Sequence, residues 1–464
     1  MSTVTVTVTV VGVPGHRRVR LFRDAAVAAG LPEPAVVSWR DVCAGDFDLD
    51  AGGTGDGRAW VRLESPGEDA EIDRLLRGAA VPAAHGEIVG LAAWHRGLVA
   101  AARRVEARGV PLLTAVDELD VMFDKRRCHA LLRSRGVAVP EAFAAGGYEE
   151  IRDRGREQGW RRVFVKPPHG SSASGVVALA FGGERGGGRV SAYTSAVLDG
   201  DRLYNELRVR HHTDERTVAT IIDRLAAESR VLPAVSGALP AERGALHVER
   251  GVLPAVSGIL PAERGGLPAV SGALHVERGA LPAVNGALHV ERGVLPAVSG
   301  ALPVERGVLP AERGALHVER WLPKASHDGL TFDLRVLVVA GRVSHVVVRT
   351  GRSPMTNLHL GNARGDLAGV RAAVGEEHWA AAMRTCEAAA ACFPGSLHAG
   401  VDLMFARDHR THAVAEVNAF GDLLPGLLAG GHDTYAAEID ALLTGRFRAA
   451  EPAADHTAAV VAAR

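Results

Sequence analysis

The sequence predicts an α/β (α+β) protein, and three observations carry that expectation. An apolar strand leads through a glycine turn into an amphipathic helix at the start of the chain. A later strand ends in a lysine followed by a loop of small residues, and two β-hairpins occupy the C-terminal part. In the opening unit, residues 4–13 are Val/Thr-rich and end in Gly12-Val13-Pro14-Gly15; residues 17–29 follow, with Val19, Phe22, Ala26 and Ala29 on one helical face. That turn is not Gly-x-Gly-x-x-Gly, so a tight bend accounts for it without a bound phosphate. Residues 88–108 read as a long amphipathic helix and Pro111-Leu112-Leu113 as a short buried strand, so the first domain is expected to close near residue 110.

Composition removes several classes of function. The 464 residues carry 53 basic and 54 acidic side chains, a formal net charge of −1, which leaves no basic surface for a nucleic-acid partner. Hydrophobic residues make up 47% and aromatics only 5%, so Leu, Val and Ala must fill the core. No apolar run reaches the roughly 18 residues that span a bilayer, and the start lacks a secretory apolar stretch. A cytoplasmic protein without a membrane partner is expected; the sequence does not set its oligomeric state. Cys43, Cys128, Cys386 and Cys392 form neither Cys-x-x-Cys nor a dense framework and are expected to be small buried hydrophobes.

From Gly237 through Gly314 a glycine recurs every seven residues, giving twelve units that end at Arg320. A coiled coil is excluded, because every unit holds a Gly and most a Pro, which cost roughly 1 and 3 kcal/mol each inside a helix. The segment is expected to be disordered, or turn-rich and weakly stacked, with a mobile insertion favoured. Its last copy runs into Trp321-Leu322-Pro323, so the array looks like duplication of a Val-Glu-Arg-Trp-Leu-Pro strand. Removing it leaves about 380 residues, a size suited to a multi-subdomain enzyme. Glu249, Glu277 and Glu291 with their basic neighbours could form a binding array, but neutral expansion in a tolerant loop is the favoured reading.

The remaining chain supplies candidate chemistry. A helix over 124–135 begins with an Asp cap and ends at Gly136. Strand 162–166 delivers Lys166, and residues 169–175 are small enough for backbone amides to approach a ligand, which suits polyphosphate binding; a hairpin loop with a solvated lysine fits the same pattern. Residues 334–339 and 343–349 read as a hairpin, with Arg335 and Arg349 among apolar neighbours and so in need of partners. Residues 400–404 and 414–418 form a second antiparallel pair in which Glu416 and Asn418 share one face and Asp402 can sit opposite. Three oxygen donors there suit Mg²⁺ bridged to phosphates, although an ordinary half-exposed hairpin has the same alternation.

Taken in order, Asp124-Lys125, Val165-Lys166-Pro167 with its loop, Val318-Glu319-Arg320-Trp321-Leu322, Asp333-Leu334-Arg335, Asn357-Leu358-His359-Leu360-Gly361, Asp402 and Glu416-Val417-Asn418 resemble the ATP-grasp superfamily. The run from Asp333 to Gly361 looks most like the RimK group, which ligates glutamate to a protein C-terminus; the set is also similar to stand-alone bacterial ATP-grasp proteins. After Asn418 the RimK group has a different small-residue turn, and Leu360-Gly361-Asn362 replaces its basic-glycine sequence, which leaves the substrates open.

The resemblance implies an ATP-grasp fold behind a small pre-ATP-grasp α/β domain. The domains would be residues 1–110, a lid subdomain over 111–229, the repeat insertion over 230–320, a metal and catalytic subdomain over 321–450 and a disordered tail over 451–464. It implies that Lys125 and Lys166 contact ATP phosphates and that Ser171, Ser172, Ser174 and Gly175 belong to the phosphate-covering loop. Glu319 and the backbone at Trp321 and Leu322 would face adenine, with the ribose contact unassigned. Asp402, Glu416 and Asn418 would hold Mg²⁺, or Mn²⁺ in its place. Arg335 would stabilise the transferring phosphoryl group, with Arg349 and Asn357 in the same pocket; His169 and His359 are weaker candidates. The implied activity is a carboxylate–amine ligase that acts through an acyl-phosphate on a small molecule or peptide. The alternatives are a kinase of the same fold and a nucleotide-binding scaffold with a repeat-based interaction segment.

Overall fold

The computed structural model describes residues 6–49, 58–67, 69–170, 173–182, 189–230, 316–420 and 424–448, with six short strands between 256 and 290. It divides into two compact units, Met1–Arg230 with Gly314–Arg464, and Val231–Arg313.

The larger unit opens as expected. Strand Val6–Gly12 pairs in parallel with Ala35–Ser38 on one side and Arg58–Leu63 on the other. Helix Arg17–Ala28 buries Val19, Phe22 and Ala26, one apolar stripe at helical spacing. The long helix is Leu91–Glu106. The strand expected at Pro111-Leu112-Leu113 is reduced to a bridge between Val61 and Leu112, although Leu113 still donates its N–H to the Val61 carbonyl. The core of this opening segment continues into the rest of the unit: Val11, Leu98 and Leu119 cluster with Leu334, Val401 and Phe420. Val10 and Phe22 pack with Tyr435 and Ile439 of helix Thr434–Leu443.

Two larger sheets follow. The first is antiparallel, in the order Ala142–Ala145, Leu316–Arg320, Arg162–Lys166, Val177–Gly182, Arg189–Asp199, Arg202–His212. Its second strand comes from beyond the repeats and slots between two strands from before them, opposing His317 to Lys166 and Glu319 to Phe164. Helices Tyr148–Glu157 and Glu215–Glu228 contribute Ile151, Ile222 and Leu225 to the core over this sheet. The second sheet runs Ala363–Arg364, Arg342–Gly351, Leu330–Val339, His398–Phe405, His412–Asn418, with Ser326–His327 also paired to Leu330–Val339. The expected hairpin turn is present: Ala340 and Gly341 both have positive φ, the geometry of the tightest antiparallel connection.

In the smaller unit the described residues form two three-stranded parallel sheets. Each strand pairs with the one two heptads along, Leu260 with Leu274 and Leu274 with Leu288, and Val256 with Val270 and Val270 with Val284. The rest of the repeat in this unit, on which the expectation of a mobile insertion falls, lies outside the described residues.

Helix Leu91–Glu106 crosses helix Ala70–Arg77 at Gly97, where a methyl group would run into the Leu76 carbonyl. Gly97→Ala should therefore lower stability by roughly 1–3 kcal/mol through overpacking, despite the better helix propensity of Ala. Thermal unfolding checks this, and an unchanged or raised melting temperature would contradict it.

Candidate functional site

Antiparallel register places the charged residues of the second sheet directly across from one another. Asp333 faces Arg349, Arg335 faces Asp402, and Asp402 faces Glu416. Because strand side chains alternate, these residues share a face, and the intervening Leu334, Val336, Val401 and Leu403 point into the core. The resulting contacts are ionic. Arg349 Nε donates to Asp333 Oδ1 at 2.7 Å, and its NH1 reaches Asp402 Oδ2 at 3.2 Å. Arg335 Nε lies 2.6 Å from Asp402 Oδ1, but the alignment meets no hydrogen bond, so that oxygen is buried without a donor. Lys324 Nζ donates to Asp333 Oδ2 at 2.7 Å and to Thr356 Oγ1 at 2.8 Å.

The first sheet supplies the opposite wall of the same cavity. Lys166 Nζ donates to Glu319 Oε1 at 2.7 Å and to the Ala415 carbonyl at 3.3 Å, so it bridges a neighbouring strand and the other sheet. Lys125 enters at the start of helix Lys125–Ser134, whose N-terminus is capped by Asp124 as the sequence predicts. Its Nζ lies 2.9 Å from Glu416 Oε1 and donates to the Gly170 carbonyl at 2.6 Å. Lys125, Lys166, Asp402 and Glu416, far apart in sequence, thus line one cavity together with Ser174, Glu319, Arg349 and Asn357. Its apolar lining comes from Phe164, Val176, Met355 and Met404.

Electrostatics follow from this pairing. Burial pushes the Glu416 carboxyl up, but the Lys125 and Lys166 ammoniums and the Arg335 guanidinium outweigh it and hold it below the usual carboxylate range. Burial likewise opposes ionisation of Glu319, yet Lys166 and His317 bring it down to about 2. Asp333 is held well below its usual value, burial being overcome by Arg349 and Lys324. All three acids are ionised at neutral pH and neutralised by cations rather than by water.

Other expected site residues fall elsewhere. Arg335 and Asn418 line a second cavity that adjoins the first. Asn418 Nδ2 donates to the Gly400 carbonyl at 3.1 Å, which fixes the amide. The Trp321 side chain packs on Phe164, which lines the first cavity, with ring centroids 5.0 Å apart, and lies against Arg162. Gly175 has φ +70° and lies so close to Leu225 and Pro167 that a side chain would collide, so its place is a packing and turn requirement. Ser171 and Ser172 lie outside the described residues. His169 does not line either cavity; it is buried and stacks on His95, with ring centroids 4.2 Å apart.

Sequence reasoning gave no role to Asp333, Lys324 and Thr356, or to the apolar wall. The signal for Asp333 was present: it stands two residues before Arg335 in an otherwise apolar strand, the spacing that put Glu416 and Asn418 on one face. Lys324, Phe164 and Met404 carry no comparable signal, since their roles arise only when the sheets meet. Among the described residues no group of three His, Cys, Asp or Glu is placed to hold a metal; Asp402 and Glu416 supply two carboxylates and Asn418 an amide oxygen. No helix among them is long and apolar enough to cross a membrane.

No family model matches the chain, and no curated protein matches it in sequence. Among solved structures it is similar to the D-cycloserine synthetase DcsG, with 12% identity, 95% of this chain and 100% of that one covered, and a TM-score of 0.48. It is also similar to the ATP-grasp ligase PsnB complexed with minimal precursor, with 14% identity, 95% and 99% covered and a TM-score of 0.45. For the D-alanine–D-alanine ligase of Bacillus anthracis the values are 11%, 96% and 97%, and 0.43.

Two outcomes follow from the charges. Asp333→Asn leaves Lys324 and Arg349 buried without their shared anion and should cost roughly 3–5 kcal/mol in denaturant unfolding at neutral pH, whereas a loss below about 1 kcal/mol would refute the pairing. Burial and the neighbouring His95 lower the His169 imidazole to about 4. The folded state therefore resists a proton that the unfolded chain accepts near pH 6.5, and stability should fall as pH drops from about 6.5 to about 4. His169→Gln should flatten that part of the profile; an unchanged slope would show that other groups set it.

Proposed function

We propose that this chain is an ATP-grasp enzyme that uses ATP and Mg²⁺ to join a carboxylate to an amine, releasing ADP and phosphate. One observation carries the reading: Gly170, Arg349, Asn357 and Glu416 line both cavities, so a nucleotide in the first would present its phosphoryl end to a molecule in the second. The apolar end, between Phe164 on one sheet and Met404 on the other, suits a flat base. Lys125 and Lys166 suit the phosphates, with Ser174 in the loop above them.

The donor set fits Mg²⁺. Asp402, Glu416 and Asn418 offer only oxygen ligands, and Asp402 Oδ1 is buried without a hydrogen-bond donor. When bound there, the ion supplies Lewis-acid neutralisation of phosphate oxygens. Arg335 and Arg349, already at the seam, would hold a carboxylate beside the γ-phosphorus and neutralise the charge that spreads over the transferring group. A carboxylate oxygen attacks the γ-phosphorus as its bond to ADP breaks, giving an acyl-phosphate. An amine then attacks the acyl carbon, phosphate leaves and the nitrogen loses a proton. No nucleophilic side chain is needed, so the chain's work is to orient two anions and cancel their repulsion.

With ATP, Mg²⁺ and a pool of metabolite acids and amines, phosphate release should require both an acid and an amine. Asp402→Asn and Glu416→Gln, which preserve shape, should each lower it at least a hundredfold. Release of a stable phosphate ester of a hydroxyl acceptor, without any amine, would identify a kinase instead, and full turnover in both variants would remove the metal assignment.

A further inference from the structure

The first large sheet, with helices Tyr148–Glu157 and Glu215–Glu228, forms a body with a core of its own, and among the described residues the one buried side chain that this core takes from the opening segment is Ile88. The chain joins the body to the rest of the larger unit through residues 136–141 and 321–325. Both crossings lie at one corner of the sheet, where the Arg320 N–H donates to the Glu141 carbonyl at 2.8 Å. Strand Arg202–His212 is at the opposite end. There the connection between helices Ala70–Arg77 and Leu91–Glu106 reaches across as a strap. The Ile88 N–H donates to the Leu203 carbonyl and the Asn205 N–H to the Gly86 carbonyl, both at 2.7 Å, so residues 86–88 pair with the outer strand. Gly86 has φ +76°, and a side chain there would press on the Asn205 carbonyl. Glu228 Oε2 accepts the Gly90 N–H at 2.8 Å, which fixes the strap to the body a second time.

Lys166, Glu319, Asp333 and Asp402 line the nucleotide cavity and are all buried, so a nucleotide can enter only if the two sheets part. Parting them means rotating the body about its corner. Strand Arg202–His212 stands five strand spacings from that corner, roughly 24 Å, so a rotation of about 10° carries it roughly 4 Å and breaks both strap hydrogen bonds. On the nucleotide reading proposed above, we infer that the strap at residues 84–90 is a latch: it holds the body closed over the cavity, and nucleotide enters and leaves when it unzips from strand Arg202–His212. The strap is remade whether or not the cavity is filled, so it adds equally to the free and the bound state and drops out of the affinity. Its strength sets the rates of entry and exit instead.

The test uses the full chain and a fluorescent ADP analogue with Mg²⁺, mixed in stopped flow. Ile88→Ala removes the side chain that seats the strap; association and dissociation should each quicken at least fivefold, with the affinity within twofold of the native chain's. Locking the strap should do the opposite. Glu87 and Tyr204 face each other as a non-hydrogen-bonded antiparallel pair, whose Cα atoms lie roughly 4.5 Å apart, within reach of a disulfide. In the double variant Glu87→Cys/Tyr204→Cys, oxidation with diamide should slow association at least tenfold relative to the native chain under the same oxidant, and reduction should restore it. Damage to the fold would slow both variants and would not be reversed by a reductant. Association at the native rate in Ile88→Ala or in the oxidised double variant overturns the latch alone, and should Ile88→Ala fail to fold, the reversible lock decides. A native chain that binds no nucleotide overturns the ligase reading and the latch with it.

Discussion

Opposite charges that neutralise one another in a buried seam are the constraint on which the rest of the structure depends. Lys166 with Glu319, and Asp402 and Asp333 with Arg335, Arg349 and Lys324, are removed from bulk water, and Lys125 with Glu416 is partly so. Burying any one of them alone would cost several kcal/mol, so each strand must arrive in the register that supplies its partner. A one-residue slip of strand Leu330–Val339 would turn Asp333 and Arg335 into the core and bring Leu334 to the cavity. The charges therefore specify the sheet alignment as well as the chemistry.

The same pairing explains how a site rich in cations and anions can exist before any ligand enters. The partners that hold the acids are the groups suited to phosphates, and the acids they hold are suited to a divalent cation. A nucleotide with its metal ion would let each side exchange its partner without leaving a bare charge. Either component alone would strand half of the set, at the cost of an uncompensated charge in a low-dielectric seam.

Much of this arrangement was legible in the sequence where a local rule applied. Period-two spacing identified the shared face of Glu416 and Asn418, cap chemistry identified the start of the helix bearing Lys125, and Ala340-Gly341 identified the hairpin that aligns Asp333 with Arg349. The resemblance in motif order pointed to the joint use of Lys125, Lys166, Asp402 and Glu416, which no local rule could supply. What stayed hidden depends on contacts between distant elements. Lys324 follows strand Leu316–Arg320 and reads as a surface lysine until Asp333 is seen beside it, and Phe164 reads as ordinary core until it is found lining a cavity. The repeat array hid its pairing for another reason: the visible period is one heptad, whereas the described strands pair every second heptad.

Calorimetric titration of ADP and Mg²⁺, each with and without the other, tests the exchange of partners most directly. The account predicts that each ligand binds weakly alone and that each raises the affinity of the other by the same factor, at least tenfold, as reciprocal coupling requires. Affinities for ADP that are indifferent to Mg²⁺, or Mg²⁺ bound tightly by the protein without nucleotide, would contradict it.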